Sequence, residues 1–233
     1  MRLDRFISNA TDYSRSQVKH LIREGLIDVN GRTATSAATH IDPADRVTVN
    51  GQPIDTPGHR YLMLHKPQGV VSVSKDSKHP TALDLLDEPR PEQLQIAGRL
   101  DIDTTGLLLI TDDGQWNHRI TSPHSGCGKT YEVEVAEPLA PALVKKFADG
   151  IWLAGEKRRC LPAELEICGD HSALLTIREG KHHQVKRMFA AMDNRVTRLH
   201  RTRVGDILLD PALEPGDYRP LTEEEVKSVD HHE

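Results

Sequence analysis

The ten residues 97–106 bring one arginine and two carboxylates close together along the chain. Arg99, Asp101 and Asp103 lie between two glycines, and the uninterrupted apolar segment 107–110 follows them. An apolar run bounded by turn residues is typical of a strand that is covered on both faces. The acidic side chains are therefore predicted on a loop that enters the core, where a carboxylate is costly without a cationic partner. This combination indicates a chemically active site.

Two other uses of these carboxylates compete with catalysis. Together with Asp112 and Asp113, the two aspartates offer oxygen ligands to a divalent metal. No histidine or glutamate stands at a supporting spacing, so the metal site is the weaker interpretation. Asp112 or Asp113 is expected to form a turn or to cap a helix that begins near Gln115. Asp103 is expected to cap the turn before Gly106, which gives it a structural role.

A second site-like stretch is Lys129-Thr130-Tyr131. It opens the segment 130–135, whose apolar and polar residues alternate strictly and predict a half-buried strand. Taken alone, Tyr131 is interpreted as a core residue of that strand.

A third stretch, residues 179–189, combines a basic segment with the start of a helix. The apolar positions repeat at helical spacing and are Val185, Met188, Phe189 and Met192. Lys186 lies about 100° from Val185 around that helix, so it flanks the buried face and can present its ammonium to a cleft. The neighbouring His182 and His183 are expected to point to different faces and to contact solvent or RNA.

Residues 1–54 are predicted to form a small α+β unit of their own. Ser14 and Gln17 fit a capping box at the start of a helix that ends near Glu24. Two alternating segments then end in Asn-Gly, at 30–31 and at 50–51, which is the signal of tight hairpins.

Arg15, Lys19 and Arg23 form a stripe beside the apolar face of that helix. Like charges four residues apart destabilise a helix by roughly a few tenths of a kcal/mol per pair. A phosphate backbone would remove this cost. The stripe therefore indicates a surface that binds a ligand of opposite charge, with a solvated face as the alternative.

Residues 55–60 have the composition of a linker, and residues 61–233 are predicted to form a larger domain. Strands are predicted at 61–65, 70–73, 107–110, 130–135 and 174–177, with a turn at 66–69. Helices are predicted near Gln115 and from a capping box at Thr222. Many strands with few, separated helices predict an α+β fold with a mixed, mostly antiparallel sheet that is flanked by helices.

The composition indicates a folded cytoplasmic protein. Of its 233 residues 37% are hydrophobic, and the three cysteines are too scattered for a disulfide framework or a metal site. No secretory signal and no run long enough to span a membrane are visible. The chain also has neither the G-x-G-x-x-G pattern nor a P-loop, so a nucleotide cofactor is unsupported.

The charge is unevenly distributed along the chain. The net charge is −5, but residues 177–203 carry eight Lys and Arg against two acidic residues, whereas residues 204–233 carry two against nine. In the net charge of the chain, the acidic residues of 204–233 offset the basic patch of 177–203. Such a patch attracts polyanions. A solvated charged face is the alternative.

These motifs resemble those of two known families, and they occur along the chain in the order expected for them. Residues 1–31 resemble the S4-type RNA-binding domain. Gly98-Arg99-Leu100-Asp101 resembles the central motif of the pseudouridine synthases, and the other motifs of that superfamily are matched by 66–69, 129–131 and 183–188. Within the superfamily, segments 101–106, 112–116, 119–123 and 218–222 resemble the RsuA family, which modifies small-subunit ribosomal RNA.

The resemblance implies a role for each of four residues. Asp101 would be the nucleophile, and Lys186 would pair with it and keep it ionised. Tyr131 would stack on the target base and assist proton transfer. Arg99 would help to extrude the target and occupy the space that it leaves in the RNA. RNA contacts are expected from Arg2, Arg5, Arg15, Lys19, Arg23, Lys66, Lys129, Lys181, His183, Gln184 and Arg187.

The implied function is the isomerisation of one uridine of 16S ribosomal RNA, at the position commonly numbered 516, to pseudouridine. The reaction would need no metal and no cofactor. The partner would be the RNA of a partly assembled small subunit, and the enzyme would act as a monomer. One alternative is a synthase for 23S ribosomal RNA, and another is a non-catalytic ribosome-assembly factor that uses the S4-like unit.

Overall fold

A computed structural model describes residues 1–229 apart from positions 12, 43, 55–57 and 123. The chain divides after Gly58 into two compact units. Of the expected linker over 55–60, positions 55–57 lie outside the described residues, as does position 123 of the motif at 119–123. Within the described part of the chain, none of the helices combines the length and apolarity that crossing a membrane requires.

The first unit packs two helices against a small sheet. Its elements are α1 (Leu3–Ala10), α2 (Arg15–Arg23), β1 (Ile27–Val29), β2 (Arg32–Thr33), β3 (Val47–Val49) and β4 (Gln52–Ile54). The strands lie in the order β2-β1-β3-β4 and pair antiparallel. The core is formed by apolar residues of both helices and of β1 and β3.

Local sequence signals account for the shape of this unit. Ser14 and Gln17 form the predicted capping box at the start of α2. Asn30 and Gly31 both have positive φ, at 52° and 74°, as the tight turn between β1 and β2 requires. Both predictions are confirmed.

The second unit is built on one large sheet. Its elements are β5 (Tyr61–Lys66), two 3-10 turns (Ala82–Leu85 and Pro91–Gln93), β6 (Gln95–Ala97), β7 (Thr105–Thr111), α3 (Gly114–Thr121), β8 (Lys129–Val135), α4 (Ala142–Ala148), β9 (Glu164–Gly169), β10 (Ser172–Ile177), α5 (Gln184–Ala190), β11 (Val196–Val204), β12 (Ile207–Leu208), β13 (Tyr218–Pro220) and α6 (Glu223–Ser228).

Strand β7 lies near the middle of this sheet. The main path of the sheet runs β13-β5-β7-β11-β8-β10-β9, with β6 also paired to β7 and β12 to β11. The pair β7–β11 is parallel, and the other pairs are antiparallel. The predicted α+β fold with a mixed, mostly antiparallel sheet is confirmed.

The apolar run of β7 is buried on both faces, as predicted. Leu108 belongs to a core cluster that includes Phe147 of α4 and Phe189 of α5. Leu107 belongs to a separate cluster that includes Trp116 of α3. Helices therefore cover both faces of the sheet, and the loop before β7 leads into a buried strand.

The strand predicted over 70–73 is wrong. Val71 makes one isolated parallel bridge to Thr81, and the rest of the segment joins no ladder. The Ser72 hydroxyl instead donates a hydrogen bond to the Leu100 carbonyl (2.8 Å) and accepts one from the Leu100 N–H (3.1 Å). The segment is therefore held against the loop before β7 rather than in the sheet.

Candidate active site

The Asp101 loop, residues 98–104, connects β6 to β7 and is held by the main chain and side chains below it. Leu100 is buried and is fixed by Ser72. The Gly69 N–H donates to the Ile102 carbonyl (2.8 Å), and the Thr104 N–H donates to the Asp101 carbonyl (3.1 Å). These bonds give the loop one defined conformation around Asp101.

Lys66 supports the same loop from inside the protein. Its side chain is completely buried, and its Nζ donates to the carbonyl oxygens of Thr104 (2.8 Å) and Pro67 (2.9 Å). Burial lowers the pKa of this ammonium to about 8. The expected RNA contact of Lys66 is therefore corrected, because no part of the side chain reaches the surface.

Arg201 holds both ends of the Asp101 loop, and the sequence did not identify it as a site residue. It is 1% exposed, and its Nε donates to the Leu107 carbonyl and one Nη to the Gly98 carbonyl, each at 2.8 Å. A Cβ at Gly106 would collide with the main chain of Arg201, so the glycine permits this close approach. The available signal was the period-two spacing of Arg201 from the apolar Leu199, which places both on one face of β11.

The Asp101 carboxylate meets Lys186 from the first turns of α5. The distance from Lys186 Nζ to Asp101 Oδ2 is 3.0 Å, and that from Nζ to Asp103 Oδ1 is 2.5 Å. Desolvation acts to lower the pKa of Lys186, but the hydrogen bonds to Asp103 and Asp101 outweigh it and leave the pKa above its usual value. At neutral pH Lys186 is therefore a cation that bridges two carboxylates.

Asp103 does not cap the turn before Gly106, so that expectation is corrected. Its carboxylate binds Lys186, and the turn is closed by main-chain atoms. Desolvation acts to raise the pKa of Asp103, but the bond to Lys186 outweighs it and lowers the pKa. The reason is geometric, because α5 brings Lys186 between the two side chains.

The four aspartates considered as metal ligands do not meet in one place. Asp112 accepts a hydrogen bond from Arg60 Nε (2.8 Å) and Asp113 caps α3, both at the far end of β7 from Asp101. The predicted capping role of Asp113 is confirmed. Among the described residues, no group of three or more His, Cys, Asp or Glu is arranged to hold a metal ion.

His182 and His183 do not point to different faces, which corrects the prediction. Their rings are stacked, with centroids 3.7 Å apart, and His183 has a left-handed backbone with φ of 48°. This conformation at the residue before α5 turns the ring toward the loop, where His183 Nε2 lies 3.5 Å from Asp101 Oδ1.

A cavity of about 970 Å³ opens beside the Asp101 carboxylate. Its lining includes Asp101, Lys186, Tyr131 and Arg99 together with apolar residues of the sheet. Tyr131 is 7% exposed and lies with its ring centroid 6.0 Å from the guanidinium carbon of Arg201. The structure thus brings the four predicted catalytic residues to one concave site whose volume suits a small organic group.

Arg99 differs from the other charged residues of the cavity. Among the described residues, its side chain has no hydrogen-bond or ion-pair partner. It is therefore available to an incoming ligand.

Two further expected RNA contacts are corrected because their side chains are occupied inside the protein. Lys129 is 7% exposed, and its Nζ donates to the carbonyls of Ile120 (2.8 Å) and Cys127 (2.7 Å). Gln184 is 4% exposed, and its amide donates to Glu179 and accepts from the Lys181 N–H. Both residues shape the cavity wall.

Lys181 and Arg187 are partly exposed and already paired with protein groups. Lys181 Nζ lies 3.6 Å from Glu156 and 3.4 Å from Glu179. Arg187 donates to Glu156 (3.0 Å) and to the Ala154 carbonyl (2.8 Å). Their contacts join α5 to the chain after α4.

The expected RNA contacts of the first unit lie at its surface. Arg2 is 57% exposed and makes a two-pronged bond to the buried Asp4, whose pKa that bond lowers. The other four are exposed and are Arg5, Arg15, Lys19 and Arg23. Three of these form the predicted stripe on α2.

Comparison with known proteins identifies the family. The family model for RNA pseudouridylate synthases matches residues 60–191, and the S4 domain model matches residues 1–47. Ribosomal small subunit pseudouridine synthase A of Vibrio parahaemolyticus is 52% identical over 231 residues, covering 98% of this chain and 99% of the relative. The protein of the same name from Escherichia coli K12 is 50% identical over 230 residues, covering 98% and 100%.

A solved structure leads to the same assignment. The crystal structure of a pseudouridylate synthase superimposes with a TM-score of 0.72 at 45% sequence identity, and the match covers 98% of this chain and 99% of that one. The chain therefore belongs to the RNA pseudouridylate synthase family and carries an S4 domain in its first unit.

Proposed function

We propose that this protein isomerises one uridine of 16S ribosomal RNA to pseudouridine, with Asp101 as the nucleophile. The observation that carries the proposal is the Asp101 carboxylate, which faces Lys186 Nζ at 3.0 Å in the wall of the cavity. The names of its relatives support the small ribosomal subunit as the source of the substrate. The uridine commonly numbered 516 is the target.

The reaction conserves every atom of the substrate. The bond from ribose C1′ to uracil N1 breaks, the base turns within the cavity, and C1′ then bonds to C5. C5 loses its proton and N1 gains one, so no oxidant or reductant is consumed. The chemistry needs a nucleophile and room for the base to turn, which the Asp101 carboxylate and the cavity provide.

The neighbours of Asp101 each serve one step. Lys186 supplies a positive charge beside the carboxylate, and its raised pKa keeps that charge at neutral pH. Tyr131 offers a flat wall against which the uracil ring stacks. Arg99, without a protein partner, fills the gap in the RNA when the target base leaves its stack.

The RNA partner is bound by more than the cavity. The exposed bases of α2 lie on the S4 unit and attract the phosphate backbone. A partly assembled small subunit is the substrate, because its RNA is still accessible to the enzyme. The enzyme acts as a monomer in the cytoplasm, where the small subunit is assembled.

The test is tritium release from 16S ribosomal RNA that contains uridine labelled at C5. The wild-type protein should release the label, since C5 loses its hydrogen in the reaction. Asp101→Asn should bind the RNA with unchanged affinity and release no label. Asp170→Asn, which removes the same charge from an exposed hairpin, is the control and should react like the wild type.

Two results would contradict the proposal. Full activity in the Asp101→Asn protein would exclude this carboxylate as the nucleophile. Release of label from 23S but not from 16S ribosomal RNA would assign the enzyme to the large subunit.

A further inference from the structure

The chain between α4 and β9 carries exposed groups that the proposed mechanism does not use. This segment, residues 150–160, is called the basic loop here. Trp152 is 56% exposed, and Lys157, Arg158 and Arg159 are three consecutive exposed bases. We infer that the basic loop binds the RNA strand beside the target uridine. Its lysine and arginine side chains would contact phosphates, and one unpaired nucleobase would stack on Trp152. The inference rests on the proposed function, because it extends the surface that holds the same RNA.

The basic loop is fixed to the rim of the cavity. Glu156 lies between Arg187, at 3.0 Å, and Lys181, at 3.6 Å. Arg187 also donates to the Ala154 carbonyl (2.8 Å). Since Lys181 lines the cavity and Arg187 belongs to the helix that carries Lys186, the middle of the loop is bound to the active site.

The far end of the loop is fixed in the same way. The Leu161 N–H donates to Glu179 (2.8 Å), a residue that also lines the cavity. The Cys160 N–H donates to the Ile151 carbonyl (2.8 Å), which brings the basic end of the loop back beside Trp152. The loop that carries the aromatic and basic groups is therefore tied to residues that line the cavity, and its backbone does not have to be ordered by the ligand.

The charges of the loop are available to a polyanion. Glu156, its acidic residue, is neutralised by Lys181 and Arg187. Among the described residues, Lys157 and Arg158 have no hydrogen-bond or ion-pair partner. Unpaired cations of this kind are the groups that exchange their counterions for RNA phosphates.

Trp152 stands out by its surroundings. Its neighbours Ile151 and Leu153 are buried, at 3% and 1% exposure, so the backbone is anchored while the indole faces solvent. A single exposed aromatic residue needs no explanation on its own. Next to three basic side chains and an RNA-modifying site, however, the exposure of Trp152 is explained by RNA binding. Aromatic faces combined with a basic groove are the usual way of binding single-stranded RNA.

The protein offers an internal probe for this contact. It has two tryptophans, and the other one, Trp116, is 1% exposed with its Nε1 bonded to the Val226 carbonyl. A nucleobase stacked on Trp152 should quench the indole fluorescence when 16S ribosomal RNA is added, after correction for absorption by the RNA. Trp152→Phe should remove the quenching and keep the affinity within about threefold, because phenylalanine still stacks. Trp152→Ala should weaken binding about tenfold, as expected for the loss of one stacked base.

The charge contact is tested with two matched double variants. Lys157→Gln/Arg158→Gln should lower the dependence of log affinity on log salt by about 1.4, because each single-strand phosphate contact contributes about 0.7. Lys145→Gln/Lys146→Gln removes the same charge from the exposed face of α4 and should leave the salt dependence unchanged. An equal effect of both double variants would show that the basic loop attracts RNA only as part of the general surface charge, and would overturn the inference.

The outcomes separate this inference from the proposed function. Filter binding establishes the RNA concentration at which the wild-type protein is saturated. If the protein releases tritium but its fluorescence does not change at that concentration, the contact with Trp152 is excluded and the proposed activity is still supported. If the fluorescence is quenched but no tritium is released, the proposed activity is contradicted and the contact with Trp152 is still supported.

Discussion

Lys186 Nζ lies nearer to Asp103 than to Asp101, at 2.5 Å against 3.0 Å. Two carboxylates therefore share one ammonium, and both raise its pKa. Asp103 is the more exposed of the two, with 54% of its side chain accessible against 27% for Asp101. Asp103 thus holds the lysine from the more exposed side, although both carboxylates line the cavity.

We predict that Asp103→Asn lowers kcat about tenfold, equivalent to about 1.4 kcal/mol of transition-state free energy, without abolishing turnover. Removal of one carboxylate lowers the pKa of Lys186, so the neutral amine forms at lower pH than in the wild type. The alkaline limit of activity should therefore move to lower pH. Tritium release measured as a function of pH checks this.

Asp170→Asn serves as the control for charge loss at a distant site, and its pH profile should match that of the wild type. An Asp103→Asn protein with an unchanged alkaline limit would show that Asp103 does not influence Lys186 during turnover.

The sequence predicts the pairing of Asp101 with Lys186 but not the place of Asp103. The motif order and the helical spacing around Val185 direct Lys186 toward a cleft. The preference of aspartate for turns favours a capping role for Asp103, and this local rule is overridden by a helix that arrives 83 residues later in the chain. Long-range contacts of this kind leave no trace in local spacing.

The burial of Arg201 and Lys66 cannot be predicted from the sequence, for a related reason. Charged residues are rarely buried, so a lysine or arginine predicts an exposed side chain. Here both side chains are buried because each satisfies two main-chain carbonyls around the Asp101 loop. The stacked pair of His182 and His183 depends on a positive φ at a residue that is not glycine, which residue type alone does not indicate.

Arg201→Met should loosen the Asp101 loop. The variant leaves the carbonyls of Gly98 and Leu107 without a donor, and each buried unsatisfied group costs about 1–3 kcal/mol. We expect the free energy of unfolding, measured by urea denaturation, to fall by about 2–6 kcal/mol. Under conditions in which the variant is still folded, kcat should also fall, because Asp101 is no longer held toward the cavity.

Arg198→Met is the matched control for this strand. Arg198 lies on the same β11 but is exposed and bonds to the exposed Glu134. Its loss should change the free energy of unfolding by less than about 1 kcal/mol. Equal effects of the two variants would contradict the anchoring role of Arg201.

The buried Lys66 should give the fold an unusual response to alkaline pH. Its pKa is about 8 in the folded protein against 10.5 for the ordinary side chain, so between these values the unfolded chain binds more protons. Stability contributed by this group should therefore increase as the pH rises from 8 to 10.5, by up to about 3 kcal/mol. Urea unfolding of the wild type and of Lys66→Met across this range isolates the contribution.

Other groups titrate in the same range, and the difference between the two proteins removes their common effect. The carbonyls that lose their donor in Lys66→Met lower its stability by an amount that does not depend on pH. A constant difference between pH 8 and pH 10.5 would mean that Lys66 is buried without a shift of its pKa.

The stripe of Arg15, Lys19 and Arg23 should contribute directly to RNA affinity, because all three side chains are exposed on α2. If each neutralises one phosphate of a single strand, their replacement by glutamine should lower the salt dependence of log affinity by about 2. Arg32→Gln/Arg46→Gln removes exposed charges elsewhere on the same unit and should lower it less per charge. Filter binding to 16S ribosomal RNA at several salt concentrations measures both. Equal effects per charge would reduce the stripe to a solvated face, since the first unit would then attract RNA only through its total charge.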